Sequence, residues 1–160
     1  MTKHEYLEKL NEQRGNVLKA IEGLTDAELC LPMAEGKWSF KDTLGHLAAW
    51  EGEVINAFEQ KARGERPTIG NITDFDAWNA VEAAKRKDHS PGEIRNSLQR
   101  GRVRLLEIVN ALPDSGEVWE PKRSTARMLT MLIEHDHHHW KQIHDYRNQK
   151  SEARSQRSED

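Results

Sequence analysis

The chain has 160 residues, of which 36% are hydrophobic and 32% charged, with 24 basic side chains against 27 acidic ones. This length suits one domain with a hydrophobic core. The near balance of charge speaks against a broad phosphate-binding surface, so we do not expect nucleic acid as a partner. No apolar run approaches the roughly 20 residues of a membrane span, so we expect no membrane insertion. Cys30 is the lone cysteine, and the first residues lack the apolar stretch of a signal peptide. Together these features predict a cytoplasmic protein.

The apolar periodicity of the chain is helical throughout. Capping signals at Thr2, Ser39 and Ser90 predict the first residues of three long helices. A fourth long helix is expected from about Thr125 to Arg147. The segment "TDFDAWNAVEAAKRK" predicts a shorter helix between the second and third long helices. These elements predict an all-α fold, a four-helix bundle with an extra short helix in the crossover.

The predicted bundle domain covers residues 1–149. The segment 150–160 has no apolar residue larger than alanine. Such a segment cannot bury enough apolar surface to offset the entropy of ordering, so we expect a disordered tail.

Four histidines fall within five positions of the last predicted helix, in "IEHDHHHWKQI". At about 100° per residue, His135 and His139 lie within the apolar stripe of this helix. His137 and His144 lie on the opposite side and should meet solvent, and His138 lies on the flank. The inward pair has the i, i+4 spacing that brings two imidazoles to about 6 Å, close enough to bind one ion. Buried histidines that bond to carbonyls or carboxylates would be the alternative.

A third ligand would favour the metal site, and the other candidates are His4, His46 and His89. His4 begins the first helix and His89 lies in a predicted loop, so both are expected on the surface. His46 lies on a flank of the second long helix. This position could face solvent, or it could form the wall of a cleft opposite the last helix. Spacing alone leaves both possibilities open.

The segment "KWSFKDTLGHLAAWE", followed about 90 residues later by "EHDHHHWKQI", resembles the DinB-like four-helix-bundle superfamily. That superfamily pairs a histidine in an H-L-x-x-x-E segment of its second helix with H-x-x-x-H-x-x-Q-[IL] on its last helix. Three further patterns, "W-S-x-K-D", "F-x-x-W-N" and "ALPD", are similar to its ClbS/DfsB-like branch. The resemblance implies that His46, His135 and His139 are metal ligands. It also implies that Gln142 braces the site one turn after the last histidine.

The resemblance further implies a divalent metal ion, with zinc or nickel foremost and iron or manganese as alternatives. The implied activity is that of a metal-dependent hydrolase or thiol transferase acting on a small electrophilic substrate, in detoxification or stress resistance. A non-catalytic binding or stress-response module of the same fold is the alternative. A homodimer is a possible assembly of such bundles.

Two carboxylates, Glu51 and Glu134, are the candidates for a catalytic or supporting role beside the metal. Four tryptophans could line a substrate cleft, although aromatic residues at helical spacing are more often part of a core: Trp38, Trp50, Trp78 and Trp140. Since protonated imidazoles do not bind metal, an ordinary histidine site would release its ion below about pH 6.

Overall fold

The computed structural model describes residues 1–157. In this part of the chain there are six α-helices and no β-strand: α1 Lys3–Ala20, α2 Asp26–Cys30, α3 Phe40–Ala62, α4 Phe75–Arg86, α5 Pro91–Ala111 and α6 Ser124–Arg157. Short 3-10 helices lie at Thr68–Asn71 and Gly116–Trp119. The prediction of an all-α four-helix bundle is confirmed, and α4 is the expected extra helix of the crossover. Among the described residues no helix combines the length and the apolar character that a bilayer crossing needs.

The capping residues define where three of the long helices begin. Thr2, Ser39 and Ser90 each accept a hydrogen bond from the backbone N–H three residues later, and the acidic side chain at that third position bonds back to the capping residue's N–H. Each capping box therefore satisfies backbone donors that the first helical turn leaves without a partner. These signals are local, which is why the sequence alone predicted the three helix starts.

The four long helices pack so that α3 and α6 become neighbours. α1 lies mainly along α6 and α3 mainly along α5, while α3 also contacts α6 and α1 contacts α5. The crossover helix α4 packs against α3. Trp50 of α3 lies 4.3 Å from Trp78 between ring centroids and donates its indole N–H to Asn79 at 3.0 Å. The remaining long face of α3 is thus left for α5 and α6.

The buried apolar side chains form two clusters. The first cluster contains Tyr6, Leu10, Val54, Phe58, Leu105, Val109, Trp119, Ala126, Leu129 and Leu132. The second contains Val17, Ile21, Leu29, Phe40, Leu44, Leu47, Ile94, Leu98 and Ile143. All four long helices contribute to both clusters, so burial of apolar surface holds the bundle together along its length.

A layer of four charged side chains separates the two clusters, one from each long helix: Arg14 of α1, Glu51 of α3, Arg102 of α5 and Asp136 of α6. We call these residues the buried quartet. On every helix the charged residue lies between a member of the first cluster and a member of the second, as Arg14 lies between Leu10 and Val17. Their exposed fractions are only 5%, 0%, 6% and 2%.

Hydrogen bonds connect the quartet into a closed network. Arg14 donates to both oxygens of Glu51, at 3.2 Å each, and to both oxygens of Asp136, at 3.1 Å each. Arg102 donates from Nε to Glu51 Oε2 at 2.7 Å and from Nη2 to Asp136 Oδ2 at 2.9 Å. Two positive and two negative charges balance, and their polar atoms are paired. Such pairing offsets the large cost of removing charges from water.

The end of the last helix differs from the sequence-based expectation. α6 continues to Arg157, through residues 150–157 that we expected to be disordered, instead of ending near Arg147. Lysine, glutamate, alanine, arginine and glutamine in this segment favour helix even without an apolar face, and Lys150 also lies over the Tyr146 ring. The disorder expected for residues 158–160 lies outside the described residues. The domain boundary at residue 149 stays a prediction.

Alanine substitutions at two helical glycines next to the quartet test whether the Glu51 carboxylate can move. A Cβ at Gly52 would have no atom within 4 Å, whereas one at Gly101 would lie 3.0 Å from Glu51 Oε1. Gly52→Ala should therefore raise the free energy of unfolding by about 1 kcal/mol, the usual gain for alanine in a helix. Gly101→Ala should lower it, because the buried carboxylate has no room to move. Urea denaturation measures the free energy of unfolding of both variants. Equal stabilisation by the two substitutions would contradict a Glu51 side chain that cannot move.

Candidate metal centre

His46 lies on α3 where this helix faces α6. Its side chain is half-buried, and its ring centroid is 4.8 Å from that of Trp38, just before the start of the helix. Neighbouring flank positions Thr43, Trp50 and Ala57 are buried. Of the two possibilities that spacing left open, the structure therefore shows the wall of a cleft between helices and excludes full exposure to solvent.

The register of α6 differs slightly from the helical-wheel expectation. Asp136, with an exposed fraction of 2%, lies at the centre of the buried stripe, while His139 is buried at its edge and His135 is half-buried. Asp136 turns inward because it pairs with Arg14 and Arg102 of the buried quartet, and this shifts the centre of the buried stripe away from the two histidines. His137 and His144 are exposed, as expected.

Three imidazole nitrogens meet between α3 and α6. His135 Nε2 lies 2.8 Å from His46 Nε2 and 3.1 Å from His139 Nε2. One ligand atom from each of the three residues lies within 4.8 Å of the others. Around a tetrahedral ion with bonds of about 2.1 Å, neighbouring ligand nitrogens are about 3.4 Å apart. Small ring movements would bring the cluster to that spacing.

The donor chemistry of the cluster fits a cation. A neutral imidazole nitrogen carries either a proton or a lone pair, so His135 Nε2 cannot donate to one neighbour while it accepts from the other. In the described part of the chain, the buried Nδ1 of His135 has no hydrogen-bond partner that would fix its tautomer. When all three imidazoles carry their protons on Nδ1, three Nε2 lone pairs face one another, and one shared cation satisfies all three. The residues present therefore fit a metal ion.

Gln142 fixes the tautomer of His139. The Nδ1–H of His139 donates to Gln142 Oε1 at 2.8 Å, and Gln142 Nε2 donates to His138 Nε2 at 3.0 Å. With its proton on Nδ1, His139 presents a lone pair at Nε2 toward the other two imidazoles. This is the usual arrangement of a metal-binding histidine, whose second nitrogen is held by a partner outside the ion's own shell.

Burial keeps the three imidazoles uncharged. Desolvation lowers the pKa of His46 to about 4 and that of His135 to about 3, with nearby histidines adding to both shifts. Desolvation also lowers the pKa of His139, partly opposed by the Gln142 hydrogen bond. Neutral imidazole is the form that binds metal. Because protons compete so weakly for these nitrogens, release of a metal is expected well below the pH of 6 that ordinary histidines suggest.

The two carboxylate candidates lie outside the histidine cluster. Both oxygens of Glu51 accept hydrogen bonds from arginines of the buried quartet, and Glu134 is exposed on α6. Among the four tryptophans, Trp38 contacts a cluster histidine, whereas Trp50 and Trp78 pack between α3 and α4. Trp140 lies beside the exposed His137 and His144.

The buried quartet was not predicted from the sequence. A usable signal does exist: Arg14 and Arg102 each lie three or four residues from buried apolar residues on both sides, and Asp136 lies four residues after the buried Leu132, so all three fall on the apolar faces of their helices. Charges on such faces are rarely buried unless they are paired.

Comparison with known proteins identifies the class to which this bundle and its histidines belong. The model of the DinB superfamily matches residues 9–143, which span the described bundle from α1 into α6. The chain therefore belongs to the DinB superfamily. The expectation drawn from the histidine motifs is confirmed at this level, while the ClbS/DfsB-like branch stays a prediction.

A curated relative comes from Bacillus subtilis (strain 168). It is described as "Putative metal-dependent hydrolase YfiT" and is 24% identical over 148 residues, which cover 86% of this chain and 79% of the relative. No solved structure matches the chain significantly.

The depressed histidine pKa values predict how the metal-free protein responds to acid. In the unfolded chain these imidazoles protonate near pH 6.5, whereas in the folded protein the pKa of His46 is about 4 and that of His135 about 3. The unfolded state thus binds more protons between these limits, and the free energy of unfolding should fall as pH drops from 6.5 toward 4. Denaturant titrations at several pH values give the free energy of unfolding as a function of pH. For chelator-treated His135→Phe this free energy should change less steeply with pH than for the unaltered protein, by the amount that corresponds to about one bound proton. An unchanged slope would contradict the burial of a neutral His135.

Proposed function

We propose that this protein is a metal-dependent enzyme that holds one divalent ion through His46, His135 and His139 and hydrolyses a small electrophilic substrate. The observation that carries the proposal is the meeting of three uncharged Nε2 atoms within 4.8 Å of one another between α3 and α6. The name of the Bacillus subtilis relative, a metal-dependent hydrolase, supports hydrolysis over thiol transfer. The substrate chemistry suits a role in detoxification or stress resistance.

Held by three neutral imidazoles, a divalent ion would keep its charge and open positions, and it would supply the means to lower the pKa of water and to polarise a carbonyl. The chain's own residues prepare for this. Burial keeps the three histidines neutral, and Gln142 directs the Nε2 lone pair of His139 toward the centre. Trp38 packs beside His46 and gives the site an apolar wall suited to a small organic molecule. Imidazole ligands favour zinc or nickel, with iron or manganese as alternatives.

Metal analysis of histidine variants tests the ligand set. Protein purified without a nickel column should contain about one metal ion per chain by elemental analysis. His135→Ala and His139→Ala should lose this metal and the metal-dependent part of the melting temperature, because the unfolded chain cannot assemble the ligands. His46→Ala should do nearly the same. His137→Ala is the matched control: it removes an exposed imidazole of the same run and should retain the metal.

Retention of metal by His135→Ala with loss from His137→Ala would contradict the proposed ligands. Activity is tested on the metal-loaded protein with activated esters and strained cyclic electrophiles, with and without an added thiol. Metal-dependent hydrolysis without thiol is the expected result. Turnover that requires the thiol would instead indicate a transferase. Metal binding without turnover of any substrate would favour a non-catalytic binding module.

A further inference from the structure

We propose that the buried quartet is the positioning device of the metal centre: it sets the spacing and register of α3 against α6 so that the three histidines meet. This inference rests on the proposed function, since it assigns a role toward the same metal. Arg14, Glu51, Arg102 and Asp136 would act through the histidines, without touching the ion or the substrate.

Each carboxylate of the quartet is attached to a helix that carries cluster histidines. Asp136 follows His135 directly on α6, and Glu51 lies five residues after His46 on α3. Any bond that fixes Glu51 relative to Asp136 therefore also fixes the two helical segments that carry the imidazoles. The 2.8 Å approach of His46 Nε2 to His135 Nε2 lies beside this connection.

The connection between the two carboxylates runs through arginines on the other two helices. Arg14 of α1 and Arg102 of α5 each donate to both Glu51 and Asp136. Two buried carboxylates without these guanidinium groups would repel each other and drive α3 away from α6. Further bonds from Arg14 to the Leu98 carbonyl and from Arg102 to the Leu10 carbonyl hold the bridging groups in place.

The apolar clusters do not fix this geometry to the same degree. α3 packs mainly on α5 and α6 mainly on α1, so the contact between the two histidine-bearing helices is the smaller one. Apolar packing is also non-directional, whereas planar guanidinium groups bond to carboxylates at defined distances and angles. Buried ion pairs add little net stability relative to apolar residues, and their best-attested use is to specify one arrangement.

Cobalt(II) provides the probe, because its visible absorption reports the geometry of its ligands. The test uses the full chain and the charge-balanced double variant Arg102→Met/Glu51→Gln, which removes one positive and one negative charge. None of these changes alters a histidine, and Arg102 lies on neither histidine-bearing helix. We expect cobalt affinity to fall about 10- to 100-fold, with a changed absorption spectrum, the size of effect known for groups that orient metal ligands.

Three further variants separate positioning from folding. Leu105→Ala removes apolar contacts next to Arg102 on α5, so it should lower the unfolding midpoint without changing cobalt affinity. Arg14→Met/Glu51→Gln breaks the connection that runs through α1 and should also weaken cobalt binding. It serves as the test if the first double variant fails to fold. Arg102→Lys keeps the charge but loses the planar fork, and should bind cobalt with intermediate affinity.

The outcomes distinguish this inference from the proposed function. If the unaltered protein binds no cobalt, the metal centre itself is wrong and the positioning role falls with it. If the unaltered protein binds cobalt and the folded quartet variants bind it with the same affinity and spectrum, only the positioning role is overturned. A loss of affinity in Leu105→Ala equal to that in the quartet variants would also overturn it, because general destabilisation would then explain the effect.

Discussion

Four buried charges, one from each long helix, hold this bundle in a defined arrangement. Arg14 and Arg102 each bond to both Glu51 and Asp136, so four helices that apolar packing alone could slide past one another are joined at one level. The cost of burying these charges is offset by complete pairing, and every member depends on the others. The histidine cluster lies directly beside this layer, because Asp136 is adjacent to His135 in the chain.

The same burial that requires the charges to pair also prepares the histidines. Desolvation lowers the pKa values of His46, His135 and His139 and leaves three neutral imidazoles with lone pairs directed at one another. His135 Nε2 cannot donate to one neighbour while it accepts from the other, whereas one cation can be bound by the Nε2 lone pairs of all three residues. Gln142 adds a second restriction by fixing the proton of His139 on Nδ1. A pocket built this way is selective for a positively charged occupant.

The sequence predicts those features whose causes are local. The capping box that begins with Ser39 lies within four residues, and the i, i+4 spacing placed His135 and His139 on one helix face. The prediction of His46 as a ligand depended on the family resemblance, because a position on the flank of a helix does not show which other helix it faces. Spacing can show that the quartet residues fall on apolar helix faces, but the pairing of Glu51 with residues on other helices depends on tertiary packing that no periodicity encodes. The polar end of α6 forms helix because its residues favour helix, with Lys150 lying over the Tyr146 ring.

The central claim is that one divalent ion is bound jointly by imidazoles of α3 and α6. Crystals of protein purified without a nickel column, measured at the absorption edge of the metal found by elemental analysis, test it directly through anomalous diffraction. We expect a single strong anomalous peak at about 2.0–2.3 Å from Nε2 of His46, His135 and His139. A peak at His137 or His138 that leaves out His46 would contradict it, as would metal-loaded crystals with no peak between the two helices.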